Sequence, residues 1–482
     1  MTGVVSDIKE DVQSFNQWPS SRHSLRVGAR MLDYDATFSE LTLCRDNRAQ
    51  ATISATSYTL AGGCADNPRP VMFLFNGGPG ASSLPLHFKA LGPRLITAID
   101  EDTYQLRDNP NCPLALIDLV FIDPVGTGFN QIVEGGSLKH FLNVEGDAEA
   151  VLEFIACWLQ AHGRQNDPIH LAGQSYGAYR LTALVEKAEG LKLSGLTIIS
   201  PMIDASASDR AVGNDLPFIF LLPSMAACAW YHQRIDKRGA LDQLVADVST
   251  FAQGEYASAL QQGGRLPEAT RKLISDKLAG LLGLPAELIL KKDLRVDLDF
   301  FMNSLLASDN VRIGQLDGRI VGSAQPARVN SSKSSQPTSD PALIISGMSL
   351  TVAQYFCDEL AVNLNRPYVS LNLGVNAEWD WRFGLPSTRF YVSRGQHLAN
   401  AMRDNPNLKL LCLCGYFDLS TPYLGARYSL EHAGLPLERV SIQAFPAGHT
   451  LYDDQDVFEQ VTDALKMFIA QAESNSSQGT KV

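Results

Sequence analysis

The chain contains no apolar run long enough to cross a bilayer. Its longest, Leu216 to Tyr231, is interrupted by Pro217 and Pro223 and falls short of the roughly 20 residues a spanning helix needs. Met1 to Trp18 is polar and acidic, without the apolar centre of a secretory signal. Basic charge is also scarce: 40 Lys and Arg against 52 Asp and Glu leave a net −12. That balance argues against nucleic acid and against anionic membranes as partners. The eight cysteines form no Cys-x-x-Cys pair and sit mostly in apolar runs, the pattern of reduced structural thiols. Cys412 and Cys414 would point to one face of a strand and cannot easily bridge. No His/Cys/Asp cluster has zinc spacing, so no metal or cofactor is expected. Internal repeats are absent. A cytoplasmic protein follows, with a homodimer left open.

What is present is an ordinary globular composition, 45% hydrophobic and 19% charged, and one pentapeptide that points to chemistry. Gly173-Gln174-Ser175-Tyr176-Gly177 follows an apolar run, Ile169 to Ala172, and leads into a helix-like run, Ala178 to Lys187. Strand, Gly-x-Ser-x-Gly and helix in that order form the context of a nucleophile elbow. A glycine-flanked serine at a helix start is also an ordinary N-cap, so partners are required. A serine hydroxyl near neutrality needs a base and a carboxylate to hold that base.

Two downstream strands supply candidates. Leu408 to Leu413 ends before Gly415-Tyr416-Phe417-Asp418, and Val440 to Phe445 ends before Pro446-Ala447-Gly448-His449. Both side chains leave from strand C-terminal ends, where open α/β sheets place their sites. The order Ser175, Asp418, His449 is that of the α/β-hydrolase fold. Read singly, His449 is a loop histidine, and Asp418 is a turn-former capping Ser420 and Thr421. Asp453 and Asp454 are rival acids, but they lie close to His449 in sequence and resemble a solvated helix start. An oxyanion hole fits Asn76-Gly77-Gly78-Pro79-Gly80, which follows the apolar strand Val71 to Phe75. Glycines there let backbone N–H groups approach substrate, with a second donor at Tyr176. A plain glycine turn is the alternative.

The organisation agrees with an α/β-hydrolase core carrying an inserted, mainly helical cap. Leu25 to Leu43 and Ala51 to Leu60 alternate like antiparallel strands. Leu116 to Ile122 and Leu196 to Ile199 read as central strands, and Val144 to Ala161 as an amphipathic helix. Helices then dominate: Ala240 to Phe251, Glu268 to Leu282 and Ala286 to Lys291, with Leu216 to Tyr231 as the packed centre of this block. Ser331 to Pro337 reads as a polar linker. The expected divisions are 1–204 and 347–472 for the two parts of the core, 205–346 for the cap, and 473–482 for a disordered tail.

Asn76-Gly77-Gly78-Pro79-Gly80 with Ser82-Ser83, Leu91-Gly92-Pro93, Asp123-Pro124-Val125-Gly126-Thr127-Gly128-Phe129 and the three triad motifs together resemble the serine carboxypeptidase family, which includes plant acyltransferase relatives. The resemblance runs from about Val71 to about Gln471 and is weakest between Ala205 and Ser346. It implies Ser175 as nucleophile, His449 as base and Asp418 as its orienter. It also implies oxyanion N–H groups from Gly78 and Tyr176, and a substrate-binding set of Asn76, Gly77 and Gln174. Asn76 would bind the substrate's terminal carboxylate. Eukaryotic members are typically secreted or vacuolar and disulfide-bonded, so this chain looks more like the bacterial, intracellular branch.

The chain departs from the family pattern at an acidic pair, whose positions fall on Gln174 and Ala90. In members those carboxyls share a proton and bind a substrate carboxylate best in acid. Gln174 still offers an amide hydrogen bond. Ala81 replaces a cysteine common in the motif, and Thr421 stands where some members carry another. The leading expectation is a serine-type carboxypeptidase-like hydrolase that passes a peptide acyl group to water. The second is an acyltransferase, esterase or cyclase in small-molecule biosynthesis, using the same acyl-enzyme. With no acidic pair, activity is expected to follow His449 alone, rising near the ordinary histidine value.

Overall fold

The computed structural model describes residues 14–62, 68–100, 103–208, 211–236, 239–323, 340–343, 348–381 and 393–476. Residues 1–13, Cys64, the Ser331–Pro337 linker and 477–482 lie outside this set.

The chain opens with β1 (Phe15–Gln17), β2 (Ser21–Val27), β3 (Arg30–Arg45), β4 (Arg48–Leu60) and β5 (Val71–Phe75). Next come β6 (Arg94–Ala98), β7 (Tyr104–Asp108), β8 (Asp118–Asp123), β9 (Ile169–Gln174) and β10 (Leu193–Ile199). The last four strands are β11 (Val311–Ile313), β12 (Val321–Ser323), β13 (Lys409–Gly415) and β14 (Val440–Phe445). The main sheet runs β1-β3-β4-β8-β5-β9-β10-β13-β14, with β2 also paired to β3. From β8 to β14 every pairing is parallel, and β3, β4 and β8 pair antiparallel.

Strand β5 shows why the sheet is covered on both faces. All five of its residues are buried; Val71, Phe73 and Phe75 join one apolar cluster, and Met72 and Leu74 the other. Alternate side chains leave a strand on opposite faces, so such a strand needs helices on both sides. Val144–Ala161 and Tyr176–Lys187 supply one layer, and Met348–Asp358 and Gln455–Ser476 the other. Strand order reverses at β5, since the chain passes to β8 on one side and then to β9 on the other. The crevice at the C-terminal ends of β5 and β9 is therefore the topological switch point, where such sheets bind ligands.

A third apolar cluster belongs to the helical block Leu216–Tyr231, Leu241–Phe251, Glu268–Leu282, Ala286–Lys291 and Leu298–Ser304. Phe417, Leu419 and Leu424, which lie just beyond β13, pack into it. The block thus rests on the loop that carries Asp418.

Some expectations need correction. The single run read over Leu25 to Leu43 is two strands, because Gly28 turns the chain at φ 59°. The strand read from Leu116 begins at Asp118, after a tight helical turn at Pro113–Ala115. The hairpin β6–β7 lacks the clean alternation that would have marked it. The tail does not start at Glu473: the last helix runs to Ser476, and Glu473 Oε1 lies 2.8 Å from His170 Nε2 in the core.

Candidate active site

Ser175 sits between β9 and the Tyr176–Lys187 helix with φ 59° and ψ −126°, a conformation that costs a non-glycine residue energy and clusters at functional sites. Close backbone packing holds it there. Gly77 lies so near that an added Cβ would meet Tyr176 N at 2.5 Å and Gly177 N at 2.7 Å. Ser175 N donates to Ile199 O at 2.9 Å, and Ser175 O accepts from Ala178 N at 2.9 Å. Ser175 is half-buried between buried neighbours, which exposes its hydroxyl at the start of a helix.

A buried ion pair braces this turn. Arg180, one helical turn on, donates to Asp147 Oδ2 at 2.6 Å and to Asn76 O at 2.5 Å, and Tyr176 Oη donates to the same Asp147 oxygen at 2.9 Å. Burial pushes the Asp147 carboxyl above its ordinary value, and Arg180 and Tyr176 pull against that. The loop that follows β5 has its own anchor. Asp123, at the end of β8, accepts from Ser83 N and Ser83 Oγ at 2.7 Å each and from Tyr368 Oη at 3.2 Å. Burial raises the Asp123 carboxyl to about 6 despite those donors.

His449 and Asp418 are brought together across the ends of β14 and β13. His449 Nδ1 is 2.7 Å from Asp418 Oδ2, leaving Nε2 as the nitrogen available to a serine. Asp418 also accepts from Ser420 N at 2.8 Å and Thr421 N at 2.9 Å through Oδ1. One oxygen of Asp418 thus caps the turn while the other faces the His449 ring. Thr421 Oγ1 reaches Asp418 Oδ2 at 2.6 Å. Burial works against a charged His449, but the Asp418 carboxylate and the charge of Asp340 together outweigh it, and the imidazole is raised above its usual value. The rival acids are engaged elsewhere: Asp454 caps the last helix through Asp456 N and Val457 N, and Asp453 pairs with Lys89.

Asn76 and Gln174 are buried and bonded to one another, Asn76 Nδ2 donating to Gln174 Oε1 at 2.6 Å. Gln174 Oε1 also accepts from Tyr452 Oη at 2.5 Å, and its Nε2 donates to His449 O at 3.0 Å. Asn76 Oδ1 accepts from Leu86 N at 3.1 Å. A ligand approaching Asn76 must share or displace these bonds. Ala90 is buried and brings no carboxyl to the group. The group formed by Asn76, Gln174 and Tyr452 is therefore neutral.

Sequence reasoning named Thr421 as capped by Asp418 but missed its hydroxyl contact; it also missed Tyr452 as a partner, Ser200, whose Oγ donates to His449 O at 2.9 Å, and the Asp147–Arg180 brace. Asp418-x-x-Thr421 was a legible turn signal; nothing local marks Tyr452 or Asp147. Among the described residues no helix is long and apolar enough to cross a membrane.

Comparison with known proteins bears on the family and the fold. The serine carboxypeptidase family profile matches residues 63–447. Carboxypeptidase Y homolog A of Sclerotinia sclerotiorum is 29% identical over 141 residues, 29% of this chain and 24% of that protein. Serine carboxypeptidase-like 36 of Arabidopsis thaliana is 30% identical over 154 residues, 30% of each chain. The chain thus spans under a third of the length of these curated relatives. The crystal structure of Kex1(delta)p, a prohormone-processing carboxypeptidase from Saccharomyces cerevisiae, superposes with TM-score 0.50 at 15% identity, covering 96% of this chain and 93% of that one; this shares the fold. With a profile that spans most of its length, the chain belongs to the serine carboxypeptidase family.

Proposed function

We propose that the chain is a serine-type carboxypeptidase-like hydrolase acting through an acyl-enzyme on Ser175. The observation that carries this reading is the 2.7 Å contact between His449 Nδ1 and Asp418 Oδ2 beside a serine held at φ 59° on a helix start. Ser175 Oγ attacks the substrate carbonyl carbon as its proton passes to His449 Nε2, while Asp418 keeps the Nδ1 hydrogen in place. The oxyanion is taken by the N–H groups of Gly78 and Tyr176. The tetrahedral adduct collapses as His449 returns the proton to the leaving nitrogen, and water then repeats the sequence to free the acid.

Because His449 must be neutral to accept a proton and is held above its ordinary 6.5, activity should fall as pH drops through that raised value. The acid limb therefore lies above the position expected for an unperturbed histidine. The test is Ser175→Ala: folding unchanged, turnover down by roughly 10⁶-fold and fluorophosphonate labelling lost. Labelling that persists would remove Ser175 as nucleophile.

One observation favours the second reading, an acyltransferase, esterase or cyclase. The neutral Asn76–Gln174–Tyr452 group lacks a proton switch for a free carboxylate. Peptides with free and amidated C-termini should then differ in kcat/KM by less than about 10²-fold. A strong preference for free acids establishes the carboxypeptidase. Ester or amine-acceptor turnover without peptide cleavage establishes the alternative. None of the seven cysteines among the described residues is in a disulfide, which supports a reducing, cytoplasmic setting.

A further inference from the structure

Residues 313–320, from the end of the helical insertion, are threaded between the loops that carry Asp418 and His449. Leu419 N donates to Gln315 O at 3.0 Å, His449 N to Leu316 O at 2.6 Å, and Gly318 N to Phe417 O at 3.0 Å. Acid loop and histidine loop therefore hang on one strap that is remote from both in sequence. The strap's far end is pinned to the histidine loop as well. Asp317 pairs with Arg319 at 2.7 Å, and Arg319 Nη1 donates to Pro446 O at 3.1 Å. Gly448 lies so close that a Cβ there would meet Asp317 Cβ at 2.5 Å.

The near end is fixed by one carboxylate. Asp340 accepts from Gln315 N at 3.1 Å, from Leu316 N at 2.9 Å and from Ala342 N at 3.0 Å. Gln315 and Leu316 are the two residues whose carbonyls hold Leu419 and His449. Acyl transfer does not require an insertion to enter between acid and base, but this one sets their separation.

We propose that Asp340 is a positioning residue for His449, acting through the Gln315–Leu316 strap and through its own negative charge. This rests on the reading of Ser175 and His449 as the reacting pair. Fixing Leu316 fixes the carbonyl that holds His449 N, so loss of the anchor lets the ring drift from Ser175. The charge works in the same direction. After burial and Asp418, Asp340 is the remaining group that bears on His449, and it favours the imidazolium, the form created when the serine proton is taken.

The other ionisable groups around the histidine are matched or silent. On the strap, Asp317 is paired with Arg319, which also reaches toward Asp454 at 3.8 Å. On the histidine's own loop Asp453 is paired with Lys89, and the phenol of Tyr452 is raised by burial. The Cys228 thiol is kept neutral by burial, and that of Cys414 by its bond to Cys412 and by burial. Among the described residues Asp340 has backbone N–H partners and no cation.

The test is the rate of fluorophosphonate labelling of Ser175 against pH, with Tm measured alongside, on the full chain and its Asp340→Asn, Asp340→Ala and Asp340→Glu variants. This assay does not depend on knowing the natural substrate. Asp340→Asn keeps the shape and one acceptor but removes the charge. Its plateau rate should fall by about tenfold, the scale of coupling within one hydrogen-bond network, and its acid limb should move to lower pH. Asp340→Ala should lose more, and Asp340→Glu should recover part of the rate and return the limb upward. A lowered Tm with an unmoved limb, or wild-type rate and limb in Asp340→Asn, would overturn the proposal while leaving the proposed function intact. A wild-type protein that is not labelled at any pH would overturn both.

Discussion

The two halves of the site are held in place by opposite means. The nucleophile half is a backbone turn packed against backbone: Ser175 is fixed by the chain on either side of it, by Gly77 against Tyr176 N, and by the ion pair between Arg180, one turn along its own helix, and Asp147 of the preceding helix. The acid–base half is assembled from distant pieces. Asp418 and His449 leave separate strands and are tied by hydrogen bonds to each other, to Ser200, to Gln174 and to a strap from the insertion. Geometry on the first side is a property of a turn, and on the second a property of the whole fold. Substitutions among the supports of Ser175, as distinct from the serine itself, should therefore act mainly on folding, and those among the supports of His449 on rate and pH profile.

The sharpest way to break that contrast is at Asp418. Asp418→Asn keeps the shape and the Ser420 and Thr421 caps but offers His449 Nδ1 an N–H in place of an acceptor. Turnover should fall by about 10⁴-fold through the wrong tautomer, with little change in stability. Asp454→Asn, at the cap of the last helix and without a contact to His449, should leave turnover within about twofold, with a stability change of a few tenths to about two kcal/mol. Reversed outcomes in steady-state kinetics would overturn the choice of acid.

The mirror experiment is Arg180→Met. Arg180 and Asp147 are both buried, and removing one partner of a buried pair leaves an uncompensated charge, at about 3–5 kcal/mol. The Asp147 carboxyl is already raised by burial with Arg180 present. Without the guanidinium it rises further, so the loss should be small below the unfolded value near 4 and grow as pH climbs above it. Denaturant titrations at pH 4 and pH 8 would show this. A loss that is equal at both pH values would mean that Asp147 does not carry the effect.

The same contrast explains what the sequence disclosed. The strands Val71–Phe75 and Val440–Phe445 and the helix Val144–Ala161 were readable to the residue, the strands as short runs closed by turn residues and the helix by its apolar spacing. So was the elbow as a pattern, although only Gly173 is crowded by its near neighbours, while Gly177 is crowded by Phe75 O and Asn76 from the neighbouring strand end. Asp418 and His449 were readable only as residues at strand ends, in a chain order. Their supports were not: Leu316 and Asp340 look like any loop residues, and their roles come from contacts with chain far away. Tyr452 carries no local sign that its hydroxyl meets Gln174. The split at Gly28 was missed because alternation continues across the turn, and its effect on the face assignment shows only once β2 pairs back on β3.

The smallest expected effect tests how redundant the acid–base half is. Thr421 Oγ1 lies 2.6 Å from Asp418 Oδ2 and 2.9 Å from Ser200 O. It has one hydrogen and can donate to only one of them at a time. Asp418 keeps three other donors, Ser420 N, Thr421 N and the His449 ring, so losing the hydroxyl should leave the carboxylate in place. Thr421→Val, similar in shape, should therefore cost about 1 kcal/mol of stability for a hydrogen bond lost to a buried acceptor and slow turnover by only about threefold to tenfold. Thr421→Ser should restore both. A loss near that of Asp418→Asn would show that the hydroxyl, 3.2 Å from His449 Nδ1, sets the ring's orientation itself. The acid–base half would then depend on one side chain and not on a distributed set of ties.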